Sequence, residues 1–448
     1  MSLNSDEDRL FGKRVLIEGH NLTLASGTGI ATYARGLSAA VRDAGCRTDV
    51  LVGSNRALPA HDPELAEVIL FDGPRNTNLI HKAGIELRRA FGAPLGLRAG
   101  SIAGLSGTVV GRSERLAGFD RIHAIAHLID VERLHFMRHG RRLRVEVEGQ
   151  PDLFHATRPA PIEVRGAANI YTLHDIVPLR LPDTTADDKV YYARMIRELV
   201  RSADHILTVS EFSRQDIIAF TGMDPSRITN TYQAVAFPDH MVARPPDVVA
   251  DALARRHGLA YKDYYLFVGA IEPKKNVGRL VDAYAAADVS RPLVVAGGLG
   301  WMYEGDLERI NSERFLSYKL EGQTMTPVRR VRRLSYLPLQ DVVDLIRGAR
   351  ALLYPSIYEG FGLPAAEAML LGTPVMTSNV SSLPEITGDA ALLVDPYDVD
   401  DMARAIRTLD TDDDLLADMT TRGRAQAGRF SRSEFAASIA SVYRSVLG

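Results

Sequence analysis

The chain has 448 residues, of which 46% are hydrophobic, with a formal net charge of −3 and a mean hydropathy of −0.06. This length exceeds a single ordinary core, so two or three domains are expected, and the near-neutral charge gives no support for a nucleic-acid binder. A lone cysteine, Cys46, excludes an intramolecular disulfide or a cysteine-based zinc cage and fits a reducing cytoplasm. Met1 to Asp8 is polar and acidic, unlike a signal peptide, and no apolar run reaches the roughly 18 residues needed to span a membrane.

Arg14 to Glu18 reads as a buried strand. It leads through Gly19-His20-Asn21 and Ser26-Gly27-Thr28-Gly29 into a helix from about Ile30 to Ala44, and a second strand covers Thr48 to Val52. This is the βαβ opening of a parallel sheet. Its glycine loop can admit a phosphate or a sugar, although the spacing is not the dinucleotide fingerprint. Thr28 serves equally as a plain helix cap. From 82 to 144, twelve basic residues stand against five acidic ones, a charge of +7. Such an excess is either a solvated face or a surface for anionic lipid or a phosphate-bearing acceptor. The histidines there are not at metal-ligand spacing.

Strands follow at Asp152 to Ala156, Ala168 to Leu173 and His205 to Val209. The second ends at His174-Asp175, and functional groups of doubly wound sheets lie past the carboxyl ends of strands. Ser210 is placed to cap the helix opening at Glu211. Ala243-Arg244-Pro245-Pro246 makes a stiff connector suited to a hinge. A second βα series then begins at Tyr264 to Val268. It passes Glu272-Pro273-Lys274-Lys275-Asn276, a strand at Leu293 to Ala296, a strand at Val331 to Tyr336, a helix at Leu339 to Arg347 and a strand at Ala351 to Tyr354. Asp398-Val399-Asp400 has the letters of a manganese-binding D-x-D. It immediately precedes the helix Met402 to Leu409, where aspartates cap and complement the dipole, so no metal is expected.

The most informative stretch starts where the strand ending at Tyr354 stops at Pro355. Gly360 and Gly362 allow a tight turn in which backbone approaches a ligand closely, and Pro364 fits a helix start. One carboxylate, Glu359, lies in the loop, and a second, Glu367, is expected in the first helical turn. The helix start supplies free N–H groups that suit an anion. Glu-Gly-Phe-Gly-Leu-Pro-x-x-Glu over 359 to 367 resembles the paired-glutamate signature of retaining family-4 glycosyltransferases. The likeness continues through Ala368-Met369, Gly372-Thr373-Pro374-Val375, Pro384-Glu385 and Gly388-Asp389-Ala390. Thr172-Leu173-His174-Asp175 and Glu272 to Asn276 are similar to two further elements of that family.

The resemblance implies an α/β fold of the GT-B type, with two Rossmann-like domains facing across a cleft. The acceptor-side domain would cover 1–237, the nucleotide-sugar domain 238–430, and a last helix over 431–448 would cross back. It also implies roles. Glu367 would bind ribose, Glu359 the transferred sugar and Lys275 the diphosphate. Lys274 stands where the family often has arginine. His174 would reach the donor sugar from the first domain. Gly27 and Gly29 would face the cleft, Gly360, Phe361, Gly362 and Leu363 would hold the sugar, and Tyr336 and Leu337 would flank the base. The expected reaction is metal-independent transfer of a hexose with retention onto a polysaccharide or lipid-linked glycan. The similarity to bacterial mannosyltransferases of surface-polysaccharide assembly favours GDP-mannose over a UDP-sugar. A non-catalytic sugar-nucleotide-binding protein, an epimerase or a phosphorylase are the other readings. The expected location is cytoplasmic, with possible peripheral membrane contact through 82–144.

Overall fold

The computed structural model describes residues 10–23, 29–59, 61–72, 96–109, 115–321, 324–335 and 337–448. Gly27, Thr28, Tyr336, Lys82, Arg88, Arg89 and Arg112 lie outside the described residues.

Two large sheets divide the chain. The first has eight strands in the spatial order Ile228–Asn230, His205–Thr208, Ala168–Thr172, Leu153–Ala156, Arg14–Glu18, Arg47–Ser54, Arg121–Ala126 and Gly100–Ile102. All neighbours are parallel except the last pair. Arg14–Glu18 sits in the middle, and its apolar letters explain why: Val15, Leu16 and Ile17 are all fully buried, as a strand covered on both faces requires. Val15 and Ile17 enter one core and Leu16 the other, following the two-residue period of a strand.

The second sheet has six parallel strands in the order Val331–Leu334, Leu293–Ala296, Tyr265–Val268, Ala351–Tyr354, Val375–Ser378 and Ala391–Val394. Numbered along the chain this is 3-2-1-4-5-6, the doubly wound order, whose direction reverses between Tyr265–Val268 and Ala351–Tyr354. In the first sheet the reversal falls between Arg14–Glu18 and Leu153–Ala156. Loops past the carboxyl ends of strands at these two points are where such folds place their ligands.

The pieces are tied together by named contacts. The connector residue Arg244 pairs with Asp344, and the helix Pro246–His257 packs on Leu339–Gly348. The segment after Pro245 therefore travels with the second sheet. The final helix, Arg432–Leu447, returns to the first sheet and lies on Gly29–Asp43. Phe435 meets Tyr33 edge-on at 5.6 Å, Tyr443 Oη is 2.7 Å from His155 Nδ1, and Arg432 pairs with Asp43 at 2.8 Å.

The structure adds what periodicity did not show: a hairpin of Leu316–Glu321 with Thr324–Arg329, and a small parallel sheet of Leu97–Arg98, Leu143–Glu146 and Ile162–Val164. These strands are short or exposed, so their apolar pattern is weak. It also revises the basic segment. Arg142 and Arg144 both pair with Glu163, at 3.0 and 2.8 Å, and Arg142 donates to the buried Tyr171 hydroxyl at 2.7 Å. Part of the cation excess is thus consumed by a carboxylate outside the segment, which a count of local charge leaves out. Among the described residues no helix is long and apolar enough to cross a membrane.

Candidate active site

Lys275 and Glu359 meet at the reversal point of the second sheet. Strand Tyr265–Val268 is followed by the single turn Pro273–Lys275, which ends at Asn276 in a left-handed conformation, φ 62°. Asparagine tolerates that conformation. Its buried side chain donates to the carbonyls of Pro355 and Pro396, at 3.1 and 2.6 Å. The Lys274 carbonyl accepts the N–H of Ile357 at 2.8 Å. The lysine loop is therefore stitched to the glycine loop, and Lys275 Nζ is held 2.6 Å from Glu359 Oε1 and 2.7 Å from Tyr354 Oη. Tyr354 also donates to Glu359 Oε1 at 2.7 Å, and Ser356 Oγ lies 2.6 Å from the same oxygen. Burial works against charge on Glu359, but Lys275 and Lys274 outweigh it and hold its pKa below the ordinary value. Lys274 itself leans toward Glu272, at 3.6 Å.

Gly362, at φ 96°, begins the helix Leu363–Leu370. Gly360 is needed for a different reason. A Cβ there would stand 2.5 Å from the carbonyl oxygen of His174, so this loop presses directly on the first domain. The Gly360 carbonyl is within hydrogen-bond reach of the hydroxyls of Ser210 and Ser213, at 2.6 and 3.1 Å. Among the described residues no protein acceptor takes the N–H of Gly360, Phe361 or Gly362. Three backbone donors thus remain for a ligand.

Glu367 departs from its expected position. It is the fifth residue of its helix and so lies in the second turn, not the first. Stabilising the helix start therefore does not explain it, because that effect fades beyond the first turn. Its carboxyl is partly buried, no described residue donates to it, and burial alone pushes its pKa up to about 8. Glu359, Glu272 and Glu367 all bear electrostatically on the buried Tyr354 hydroxyl, so the three carboxylates share one neighbourhood.

His174 faces this group from the first sheet, just past the strand Ala168–Thr172. Its Nε2 is 2.9 Å from the Thr157 carbonyl, which accepts the ring proton and leaves Nδ1 as an acceptor. Burial depresses its pKa, and Tyr33 packs edge-on at 4.8 Å. Gly29 starts the helix that carries Tyr33, and a Cβ at Gly29 would meet nothing within 4 Å. Leu337 and Leu363 are partly buried against the main core. The structure therefore brings Lys275, Lys274, Glu359, Gly360, Phe361, Gly362 and His174 to one crevice, with Glu367 close enough to act on the Tyr354 hydroxyl.

Three groups take roles that the sequence did not imply. Glu385 reaches across the crevice and accepts the N–H groups of Glu211 and Phe212, at 2.7 and 2.9 Å, joining Ser210 in capping the helix Glu211–Thr221. Tyr358 donates to Asp216 from the same side. At the reversal point of the first sheet, Arg158 bridges Glu18 at 3.1 Å and Glu132 at 2.7 Å, all three side chains being strongly shielded. Burial raises the pKa of Glu132 to about 7 despite Arg158. The available signal was Glu18 itself, a charge closing an apolar run. Asp398 accepts from the N–H groups of Asp400 and Asp401, at 2.9 and 3.0 Å, as a helix cap.

With this geometry in place, comparison with known proteins places the chain. Residues 252–426 match the family described as glycosyl transferases group 1, and residues 102–235 match glycosyltransferase family 4. The O-antigen chain mannosyltransferase B of Escherichia coli is 37% identical over 272 residues, 58% of this chain and 66% of that protein. The serotype-specific mannosyltransferase WbdA of Escherichia coli is 28% identical over 269 residues, 58% of this chain and 31% of that protein. The chain thus spans just under two thirds of the first relative and about a third of the second. Among solved structures, Anabaena Alr3699/HepE in complex with UDP and glucose superposes with a TM-score of 0.64 at 16% identity, covering 97% of this chain and 100% of that one. The sucrose-phosphate synthase of Thermosynechococcus elongatus gives 0.61 at 17% identity, covering 97% and 98%. Two parallel sheets, family matches in both halves of the chain and these structural neighbours lead to one conclusion: the chain belongs to the group 1 and family 4 glycosyltransferases of the GT-B fold.

Proposed function

We propose that the protein is a mannosyltransferase that moves mannose, with retention, from GDP-mannose to a polysaccharide or lipid-linked glycan. The observation that carries a transfer reaction is the Lys275–Glu359 pair, with three backbone N–H donors beside it and His174 opposite. The choice of mannose rests on the mannosyltransferases among the relatives.

In this reading the departing diphosphate gathers negative charge, and Lys275 exchanges its Glu359 contact for phosphate oxygens at the start of a helical segment. Lys274 adds long-range positive charge. The free N–H groups of Gly360, Phe361 and Gly362 hold sugar or phosphate oxygens. Glu359, freed from Lys275, accepts from sugar hydroxyls and stabilises positive charge developing at the anomeric carbon. His174 accepts a sugar hydroxyl at Nδ1, and Glu367 accepts from the ribose. Attack occurs on the face from which the diphosphate leaves, with the leaving phosphate taking the acceptor proton. No metal is required, because lysine and backbone donors supply the positive field.

The test is a donor screen of purified protein against GDP- and UDP-sugars, read as thermal shift and as slow donor hydrolysis. Stabilisation and hydrolysis with GDP-mannose are expected, and a response to UDP-sugars alone would replace the donor. Activity is expected to persist in EDTA, and loss that Mn²⁺ restores would overturn the metal-free reading. Peripheral membrane contact is favoured by the helix Leu128–His139, where Leu134, Met137 and Arg138 are exposed on one face with Arg141 just beyond. Binding to anionic vesicles at low salt that fades as salt rises is the expected result.

A further inference from the structure

The far end of the second sheet carries a cluster of cations for which the crevice has no use. Lys262 precedes the strand Tyr265–Val268, Arg350 precedes Ala351–Tyr354, and Gly372 lies shortly before Val375–Ser378. They lie at the amino ends of these strands, whereas Lys275 and Glu359 follow the carboxyl ends. Together with Arg347 and Arg424 they line an open pocket of about 390 Å³ whose lining, among the described residues, contains no aspartate or glutamate.

Proteins usually neutralise such a cluster internally, and here most of it is not neutralised. Among the described residues, Lys262, Arg347 and Arg424 form no ion pair with a carboxylate, and Arg350 alone pairs with Asp413, a mostly exposed side chain. The Nη1 of Arg347 is buried without a hydrogen-bond partner among the described residues. An unmet buried donor on a charged group is costly unless something supplies an acceptor. Arg424 packs over Gly372, where a Cβ would come within 2.5 Å of its Nη2, so the guanidinium lies against backbone. Burial and then the nearby charges of Arg424 and Arg347 push the Lys262 pKa down to about 8, a sign that these cations sense one another across the pocket.

We propose that this pocket is a second anion site, separate from the crevice, that binds a phosphate-bearing small molecule through Lys262, Arg347 and Arg424. A cavity of this size accommodates a sugar phosphate or a diphosphate. The guanidinium forks of the arginines suit phosphate oxygens better than a lone ammonium does. The inference does not depend on the donor or acceptor proposed above, since none of these residues belongs to the crevice.

Inorganic pyrophosphate is the probe, in chloride buffer at fixed ionic strength. Lys275→Ala protein removes the lysine paired with Glu359, so that the part of any remaining thermal shift that depends on Arg347 and Arg424 reports the second pocket. A concentration-dependent shift is expected in Lys275→Ala and is expected to vanish when Arg347→Gln and Arg424→Gln are added. Arg424 is exposed, so Arg424→Gln alone keeps the test valid if the combined variant does not fold, and it should weaken binding by about tenfold. No shift in Lys275→Ala, or the same shift after the arginine replacements, overturns the site. Phosphatidylglycerol vesicles separate the two sources of such a group. Co-sedimentation lost in the arginine variants identifies a lipid headgroup, and pyrophosphate binding without co-sedimentation identifies a soluble ligand.

Discussion

The two sheets meet at their reversal points with opposite electrostatic designs. On the first sheet one arginine, Arg158, serves two carboxylates, Glu18 and Glu132, and its fork locks both in place. On the second sheet two lysines stand beside Glu359, and the contact is a single ammonium at one oxygen. A planar fork that bridges two buried partners is a structural clamp. A compact ammonium shared among Glu359 and Tyr354 can trade one oxygen for another at little geometric cost. The same position in the same kind of sheet thus yields rigidity on one side and an exchangeable charge on the other.

The largest effect expected from breaking this contrast is on stability at the first sheet. Arg158→Met strands two shielded carboxylates and should cost about 3–5 kcal/mol, read as a lowered denaturant midpoint. A loss below about 1 kcal/mol, the range of exposed pairs, would show that the clamp is solvated and the contrast false.

At the second sheet the loss should appear in turnover instead. Lys275→Ala should reduce kcat by about a hundred- to a thousandfold, the scale for removing one group that stabilises transition-state charge. Lys274→Ala should be milder, since its ammonium leans toward Glu272. A raised KM with unchanged kcat for Lys275→Ala would mean that the lysine only binds the donor.

Smaller again is Glu367→Ala. Among the described residues its carboxyl has no protein donor, so removal should spare the fold while weakening nucleoside diphosphate binding by roughly ten- to a hundredfold, or about 1.5–3 kcal/mol. Calorimetry showing equal affinity would take Glu367 out of the ribose role.

A pH slope shared by both sites is expected as well. Burial raises Glu367 to about 8 and Glu132 to about 7, from an ordinary 4.5. The folded protein holds these protons more tightly than the unfolded chain does. The stability that these two groups contribute is therefore fully present below pH 4.5 and is lost as pH rises through 7 and 8. Glu132→Gln and Glu367→Gln should each flatten part of that decline in urea midpoints measured from pH 5 to 9. An unchanged slope in either variant would locate the titration elsewhere.

Much of this molecule was written locally. Val15 to Ile17, Leu293 to Ala296 and Ala351 to Tyr354 are short apolar runs bounded by polar or turn residues, and each is a buried parallel strand. Ser210 and Asp398 cap helices because a short polar side chain before a helical run can accept the first N–H groups. Lys275, Glu359 and Gly362 were legible because loop chemistry and φ preference belong to a few consecutive residues. Other features depended on distant chain segments. The cation excess near Arg142 is partly compensated once Glu163 arrives, and Arg158 becomes a clamp only when the strand Leu153–Ala156 is laid beside Arg14–Glu18. Gly360 needs to be glycine because His174, far away in sequence, comes to lie against it. Glu385 looks like a surface charge until the helix at Glu211 presents its free N–H groups across the crevice. Local sequence fixes conformations whose energy is set within one turn or strand. Charge compensation and close approach depend on which segments meet, and only the packed tertiary structure decides that.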